Sequence, residues 1–460
     1  TANGTGSNGA GAAPAFRQHV PIPQRSSGIL SATSPVSFDQ YELVQDAAAL
    51  QLWADAARDQ GYVAFDTETN SLHVIAVDLA GVSLALAPGK ACYIPLGHGG
   101  TTGDLLGGSS ERPKQIPLDK ALAILKPLLE DSSVLKIGHN IKFDLCILRK
   151  YGVEVAPVDD TMLISYVLEG GAHGHGMDEL SELHLGHKPI SFTEVAGTGK
   201  AQVTFDKVPL DKALNYSAED ADVTLRLHQV LKPRLMAERL LTVYETIERP
   251  LVPVVADMEC AGIKVDAKAL HDLSKDFAQR IAALEQEIHG IVGREFNVGS
   301  PKQLGEILFD ELKLPGGSKG KTGAYGTGAD VLEEVAVNTG HPLPRKVLDW
   351  RQLSKLKSTY TDALQEEIDP TTGRVHTSYA LALTSTGRLS SSDPNLQNIP
   401  VRTEEGRKIR HAFVAEKGHK LLSVDDSQIA LRLAAEIADI PALRDSFRDG
   451  HDIHAMTASQ

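Results

Sequence analysis

Five side chains in the first half of the sequence have the types and spacing for hydrolysis of a phosphodiester. Asp66 and Glu68 stand two apart at the end of the apolar run GYVAFDTETN. On a strand, residues two apart project from one face, which offers both carboxylates to a single cation. Asp144 lies at a strand-to-helix junction in GHNIKFD, and Asp220 on a helical segment in YSAEDAD, with Tyr216 four residues ahead on the same helical face. Hard divalent cations demand oxygen ligands, and two Mg²⁺ held about 3.5 to 4 Å apart activate a water and stabilise a leaving oxygen. In that scheme Asp220 binds metal while the Tyr216 phenol orients the attacking water. Each piece alone reads more readily as a solvated strand or helix terminus; the three in order point to chemistry.

To hold these groups together, the block from about residue 37 to 235 must supply a sheet and the helices that cover it. GYVAFDTETN and VDLAGVSLALAPGKACYIPL read as three strands, the last two broken at Pro88-Gly89, which is a β-meander. LDKALAILKPLLED follows as a helix, VLKIG as a buried strand, and a series of amphipathic helices ends with LNYSAEDADVTLRLHQVL. A mixed sheet with flanking helices is an α/β or α+β expectation.

Composition bounds the rest. A chain of 460 residues exceeds what one hydrophobic core organises, so two or three domains are expected. Hydrophobic residues at 42% and charged residues at 23% describe an ordinary globular composition, and no apolar run approaches the roughly 20 residues a membrane span needs. Cys92, Cys146 and Cys260 lie far apart without a C-x-x-C spacing, which fits a reducing, cytoplasmic location and argues against structural zinc or a disulfide framework. The net charge of −14 looks wrong for a phosphate-binding protein, yet residues 341 to 410 carry eleven Lys or Arg against eight Asp or Glu. Residues 1–36, rich in Gly, Ala, Ser and Pro, have linker composition and no signal-peptide pattern, and suggest a segment upstream. At the other end HDIHAMTASQ runs on as a helical pattern with no stop signal.

FDTETNSL, GHNIKFD and YSAEDAD resemble the three motifs of the DEDDy proofreading exonucleases, in the form found in the bacterial DNA polymerase I family. All four acids and the tyrosine are present. The resemblance implies an RNase H-like fold for residues 37–235, with Asp66, Glu68 and Asp220 on one Mg²⁺ and Asp66 with Asp144 on a second. It implies that Tyr216 assists the water, that Leu72 and Asn140 hold the 3′-terminal nucleotide, and that Mn²⁺ can replace Mg²⁺.

The next block, 236–375, reads as mainly helical. Leu270, Leu273, Phe277, Ile281, Leu284, Ile288 and Ile291 recur at steps of three and four, predicting one long amphipathic helix with Asp266 as its N-cap, and Ser300-Pro301 opens another. Alone, this could be a plain helical bundle, and the Gly-rich PGGSKGKTGAYGTGAD, with Lys319 and Lys321, a flexible connector. FNVGSPKQLGEILF, KTGAYGTGADVLEE and LSKLKSTYTDAL are similar to the thumb of family A polymerases, which lies along the duplex minor groove and needs backbone contacts.

RVHTSYALALTSTGRLSSSDPNLQNIPVRTEEGRKIRHAFV resembles the start of the family A palm almost residue for residue, so 376–460 is expected to be a partial palm. By that resemblance Arg388 reaches the minor-groove side of the primer-terminal pair, and Gln397 and Asn398 fix the template and primer backbones. LLSVDDSQIALRL is similar to polymerase motif A, in which Asp425 binds both catalytic Mg²⁺, and Gln428, Ala430 and His454 lie along the incoming deoxynucleoside triphosphate. The trio His451, Asp452 and His454 reads as helix-start capping rather than a metal site.

Departures limit the resemblance. The usual Asp-Tyr-Ser-Gln-Ile-Glu is here Asp425-Asp426-Ser427-Gln428-Ile429-Ala430, so the Glu that obstructs a ribose 2′-hydroxyl is replaced. The fingers helix and the second palm carboxylate motif do not occur in the 460 residues, so the polymerase site is expected to be incomplete in this chain. Two readings follow. One is a monomeric proofreading 3′-to-5′ exonuclease, acting on a single-stranded 3′ end, with an unfinished polymerase domain that grips primer-template DNA. The other is a noncatalytic primer-template-binding fragment.

Overall fold

The computed structural model describes residues 31–71, 75, 77–99, 112–320, 323–426, 428–451, 453 and 455. They divide into two units, one taking the chain up to Ala261 together with His376–Gln397, the other Gly262–Val375 and Asn398–Gln460.

The first unit is built on a six-stranded sheet of β1 (Glu42–Leu43), β2 (Tyr62–Thr69), β3 (Leu79–Ala87), β4 (Lys90–Pro95), β5 (Leu135–Gly138) and β6 (Val158–Asp160), in the order β1-β4-β3-β2-β5-β6. β2, β3 and β4 form the expected antiparallel meander, while β5 runs parallel to β2 and β6 parallel to β5. Helices α1 (Ala47–Gln60), α2 (Leu118–Leu129), α3 (Lys142–Lys150), α4 (Thr161–Glu169), α5 (Met177–Leu185), α6 (Phe192–Ala196) and α7 (Leu210–Ala237) surround it.

The sequence of β2, YVAFDTET, sorts onto two faces by strand alternation. Val63 and Phe65 join the core formed with α1, α2 and α3, while Ala64 packs among Ala85, Ala91, Ala218, Ala221 and Leu225. That second face is lined by small residues, and this is what lets α7 approach the sheet closely. Asp66 and Glu68 share the α7 side with Ala64; Thr67 shares the α3 side with Phe65. α1 shows how local chemistry sets an element's ends: the Asp46 carboxylate caps Ala49 N–H, and Gly61 closes the helix at φ 81°.

After α7 the chain passes through α8 (Leu241–Val243) and a π-turn at Tyr244–Glu248 into α9 (Arg249–Ala261), which packs on α3. His376–Gln397 lies with the first unit. Buried Glu259 of α9 accepts both from Lys142 Nζ at 2.5 Å and from the Tyr379 amide at 2.5 Å, and Tyr166 Oη donates to the Thr384 carbonyl at 2.7 Å. Leu381 joins the core of the unit. Within this stretch β9 (Ser378–Ala380) and β10 (Ser390–Ser392) pair antiparallel.

The second unit holds a small antiparallel pair, β7 (Ile263–Lys264) with β8 (Arg374–Val375), and a set of helices. The longest, α10 (Ala267–Val292), has the Asp266 carboxylate on Ala269 N–H, and α11 (Pro301–Gly305) has Ser300 Oγ on Gln303 N–H, as the capping signals predict. α12 (Ala329–Thr339) and α13 (Pro342–Leu356) complete a core of Ile288, Val298, Leu304, Leu332, Leu343 and Val347. α14 (Ala363–Glu366), α15 (Glu404–Arg410), α16 (Ile429–Ile437) and α17 (Pro441–Arg448) follow. Between α15 and α16 the segment LLSVDD has no regular structure, and Leu422 and Val424 are 87% and 82% exposed. An apolar run needs a neighbouring strand to bury it, and no described strand pairs there.

Candidate active site

Asp66, Glu68 and Asp220 bring one carboxylate oxygen each to within 4.8 Å of one another. Strand alternation on β2 supplies the first two; the small-residue packing of α7 against the sheet supplies the third. Ser217, three residues before Asp220 on α7, donates its hydroxyl to Glu68 Oε1 at 2.6 Å, and both side chains are buried. Asp144 approaches from the other face. Its Oδ1 accepts from the Thr67 amide at 2.9 Å and from Thr67 Oγ1 at 2.6 Å. β5 stops pairing with β2 at Ala64, so the Thr67 amide is available to a helix side chain instead of a strand carbonyl.

Burial disfavours charge on every one of these acids. The Asp66 carboxyl is pushed up to about 7, chiefly by removal from water. Glu68, Asp144 and Asp220 are held well above the usual carboxylate range, first by burial and then by the negative charge of their neighbours. Ionised together, three oxygens so placed would repel one another, which is why a cation among them would favour their charged forms, and the donor set, all carboxylate oxygen, fits a hard divalent ion.

Tyr216 lies one turn ahead of Asp220, its ring packed against Phe205 and Phe192 at centroid distances of 5.7 and 6.2 Å. Burial and the charges of Asp220, Glu68 and Asp66 raise its phenol far above the ordinary value, so it is a neutral hydrogen-bonding hydroxyl. Asn140 is exposed at the turn into α3 with φ 56°, its amide held by Asp160 Oδ1 at 3.0 Å. The same Asp160 oxygen pair accepts from the amides of Ile141 and Met162, so one carboxylate fixes the turn that presents Asn140 and Asp144.

Leu72 and His454 lie outside the described residues. Arg388 and Gln397 belong to the first unit. Arg388 is exposed, and Gln397 braces the β9–β10 turn by accepting from the Ser391 amide at 3.1 Å and donating to the Leu389 carbonyl at 3.1 Å. Asn398, Asp425, Gln428 and Ala430 belong to the second unit. The Asn398 carbonyl accepts from Tyr360 Oη at 2.7 Å, Asp425 and Ala430 are exposed, and Gln428 opens α16 at φ 58°. Of the eleven basic residues between 341 and 410, Lys346, Lys357, Arg374 and Lys408 are engaged in ion pairs within their own unit.

Sequence reasoning passed over Thr67 and Ser217, which position two of the four acids. Ser217 had a signal, since its spacing of three from Asp220 puts both on one helical face. Tyr93 had none: its hydroxyl is 2.7 Å from His98 Nε2, and its ring fills the space beside Gly81, where a Cβ would stand 2.2 Å from Tyr93 Oη. Gly81 pairs with Glu68 in the β2–β3 ladder, so only glycine admits this ring next to the acids.

Residues 41–236 match a family described as 3′-5′ exonuclease, and residues 267–460 match DNA polymerase family A. Relatives named DNA polymerase I include one from Rhizobium leguminosarum, 57% identical over 93% of this chain and 43% of its own length. Another, from Pseudomonas aeruginosa, is 46% identical over 93% of this chain and 46% of its own. The chain thus spans less than half the length of these curated relatives. A solved structure described as the POL domain of Pol1 from M. smegmatis in complex with DNA primer-template and dNTP superposes with a TM-score of 0.73 at 29% identity, covering 91% of this chain and 66% of that one.

Proposed function

Because the chain belongs to DNA polymerase family A, with a 3′-5′ exonuclease domain ahead of the polymerase region, we propose that it removes nucleotides from the 3′ end of DNA as a proofreading nuclease. The observation that carries this is the group Asp66, Glu68 and Asp220 on the elements matched to the exonuclease family, with Asp144 held beside them. Asp66, Glu68 and Asp220 would hold one Mg²⁺, and Asp66 with Asp144 a second, with Mn²⁺ able to substitute. Such ions supply Lewis-acid activation of the water and stabilisation of the leaving 3′-oxygen.

The chain's own groups do the rest. Tyr216, neutral and facing the acids, orients the attacking water. Ser217 and Thr67 keep the Glu68 and Asp144 carboxylates aimed and supply the hydrogen bonds that favour their ionised forms. Leu72 and Asn140 steady the terminal nucleotide. The new bond joins water oxygen to phosphorus, the bond from phosphorus to the 3′-oxygen breaks, and a proton passes to that oxygen, leaving a 3′-hydroxyl and a 5′-monophosphate.

Synthesis belongs to the whole protein in this proposal. Asp425 is its first metal-binding acid, Gln428, Ala430 and His454 line the nucleotide, and Arg388, Gln397 and Asn398 meet the primer-template duplex. A monomer in the cytoplasm is the proposed setting. The free Cys92, Cys146 and Cys260 fit the reducing compartment of that proposal. Among the described residues no helix is long and apolar enough to cross a membrane. The test is polarity: a 5′-labelled single strand should yield a descending ladder with 5′-mononucleotide release. Internal cleavage, or removal of nucleotides from the 5′ end, would overturn the proposal.

A further inference from the structure

Away from the four acids, Glu169, His173 and His184 bring a carboxylate oxygen and two imidazole nitrogens within 4.8 Å of one another. Glu169 ends α4, His184 lies in the last turn of α5, and His173 stands in the glycine-rich turn between them. We propose that these three side chains form a zinc-type transition-metal site that staples the α4–α5 turn.

The surroundings of each ligand are those such a site requires. His173 Nδ1 lies 2.6 Å from the Gly174 carbonyl and donates there, while Nε2 lies 2.8 Å from Glu169 Oε2 and donates to it in the metal-free chain, so a metal bound here would take the place of that Nε2 proton. His184 Nε2 is shielded from solvent and lies 3.3 Å from the same oxygen without hydrogen-bond geometry. Arg234 Nη2 holds the other Glu169 oxygen at 2.8 Å, turning Oε2 inward. Tetrahedral Zn²⁺ with bonds of about 2.1 Å spaces its ligand atoms about 3.4 Å apart. One of these separations already matches and the other must open by about half an ångström. His175, with Nδ1 on Ser165 Oγ at 2.9 Å, is not among the three side chains whose ligand atoms converge, so the fourth position is open to water.

Two imidazoles with one carboxylate favour Zn²⁺ over Mg²⁺, the reverse of the all-oxygen nuclease site. Both α4 and α5 pack on α7, the helix of Tyr216 and Asp220, so the role is structural.

The test uses the untagged 460-residue chain carrying Asp66→Ala and Asp220→Ala, which removes the competing carboxylate site and makes the result independent of the nuclease proposal. Equilibrium dialysis against Zn²⁺ in excess Mg²⁺ should retain one ion per chain, and Co²⁺ in its place should give the visible ligand-field band of a low-coordinate site. His173→Gln and His184→Gln should each weaken Zn²⁺ binding by more than about 100-fold, and Arg234→Met, which removes no ligand, by about 10- to 100-fold. Absence of retained Zn²⁺ and of the Co²⁺ band in the histidine-intact chain would overturn the proposal. Retention undiminished in a folded His173→Gln and His184→Gln double variant would do the same.

Discussion

Replacing Ser217 by Ala tests whether the nuclease site depends on how its acids are held as well as on the acids themselves. The Ser217 hydroxyl lies 2.6 Å from Glu68 Oε1, and neither residue has a wet alternative, Ser217 being fully buried and Glu68 8% exposed. A hydrogen bond to a charged acceptor in such a place contributes about 1.5 to 3 kcal/mol. Its loss leaves a buried carboxylate short of a donor and raises further a pKa that burial already holds high, so the ionised form that binds metal becomes rarer. At 1.36 kcal/mol per decade, the apparent Mg²⁺ affinity or kcat/KM should fall about 10- to 150-fold. The assay titrates Mg²⁺ against the initial rate of 3′ shortening of a labelled single strand, for parent and variant side by side. The shift should appear in half-saturation first and shrink when Mg²⁺ is saturating. A Ser217→Ala chain with the parent's rate and half-saturation at every Mg²⁺ concentration would refute the reasoning.

Thr67→Val keeps the amide bond to Asp144 and removes only the hydroxyl contact at 2.6 Å, so the rate should fall by about tenfold while the fold, followed by circular dichroism, stays intact. The Asp66 carboxyl titrates from 3.8 in its ordinary state to about 7 when folded, so the folded chain binds that proton more tightly than the unfolded one. In chelator, stability from this group is fully present below about pH 4 and lost as the pH rises through about 7; Tm in EDTA should therefore drop between those values, and Mg²⁺ should restore it most at the upper end. A Tm in EDTA that does not fall over this range would contradict the assignment. Lys142→Met strands Glu259 in the interior of the first unit and should cost about 3 to 5 kcal/mol in urea unfolding, with part recovered by adding Glu259→Gln.

Those contacts also mark where sequence reading stopped. Period-two alternation put Asp66 and Glu68 on one face, and helical spacing put Tyr216 beside Asp220, because both are properties of a single element. The run from Leu270 to Ile291 and the Asp266 cap gave α10 for the same reason. The bonds that hold the site join residues 77 and 149 positions apart, Thr67 to Asp144 and Ser217 to Glu68, and no local pattern encodes them. The placement of His376–Gln397 with the first unit was hidden likewise, since it rests on Glu259, a helix residue whose burial depends on a lysine 117 positions away. Motif resemblance located Asp425 without indicating that LLSVDD stands exposed and irregular.

The central claim is that the acids on β2, α3 and α7 form one hydrolytic site, and Asp66, expected to touch both cations, is its most sensitive member. The direct measurement compares the initial rate of Mg²⁺-dependent 3′ shortening of single-stranded DNA by the parent chain and by Asp66→Ala. The account predicts steady loss of 3′ nucleotides by the parent, abolished by chelator, and a rate lower by about 10³-fold or more in the variant, the equivalent of about 4 kcal/mol of transition-state stabilisation. Digestion by Asp66→Ala at the parent's rate, or parent activity unaffected by chelator, would contradict it.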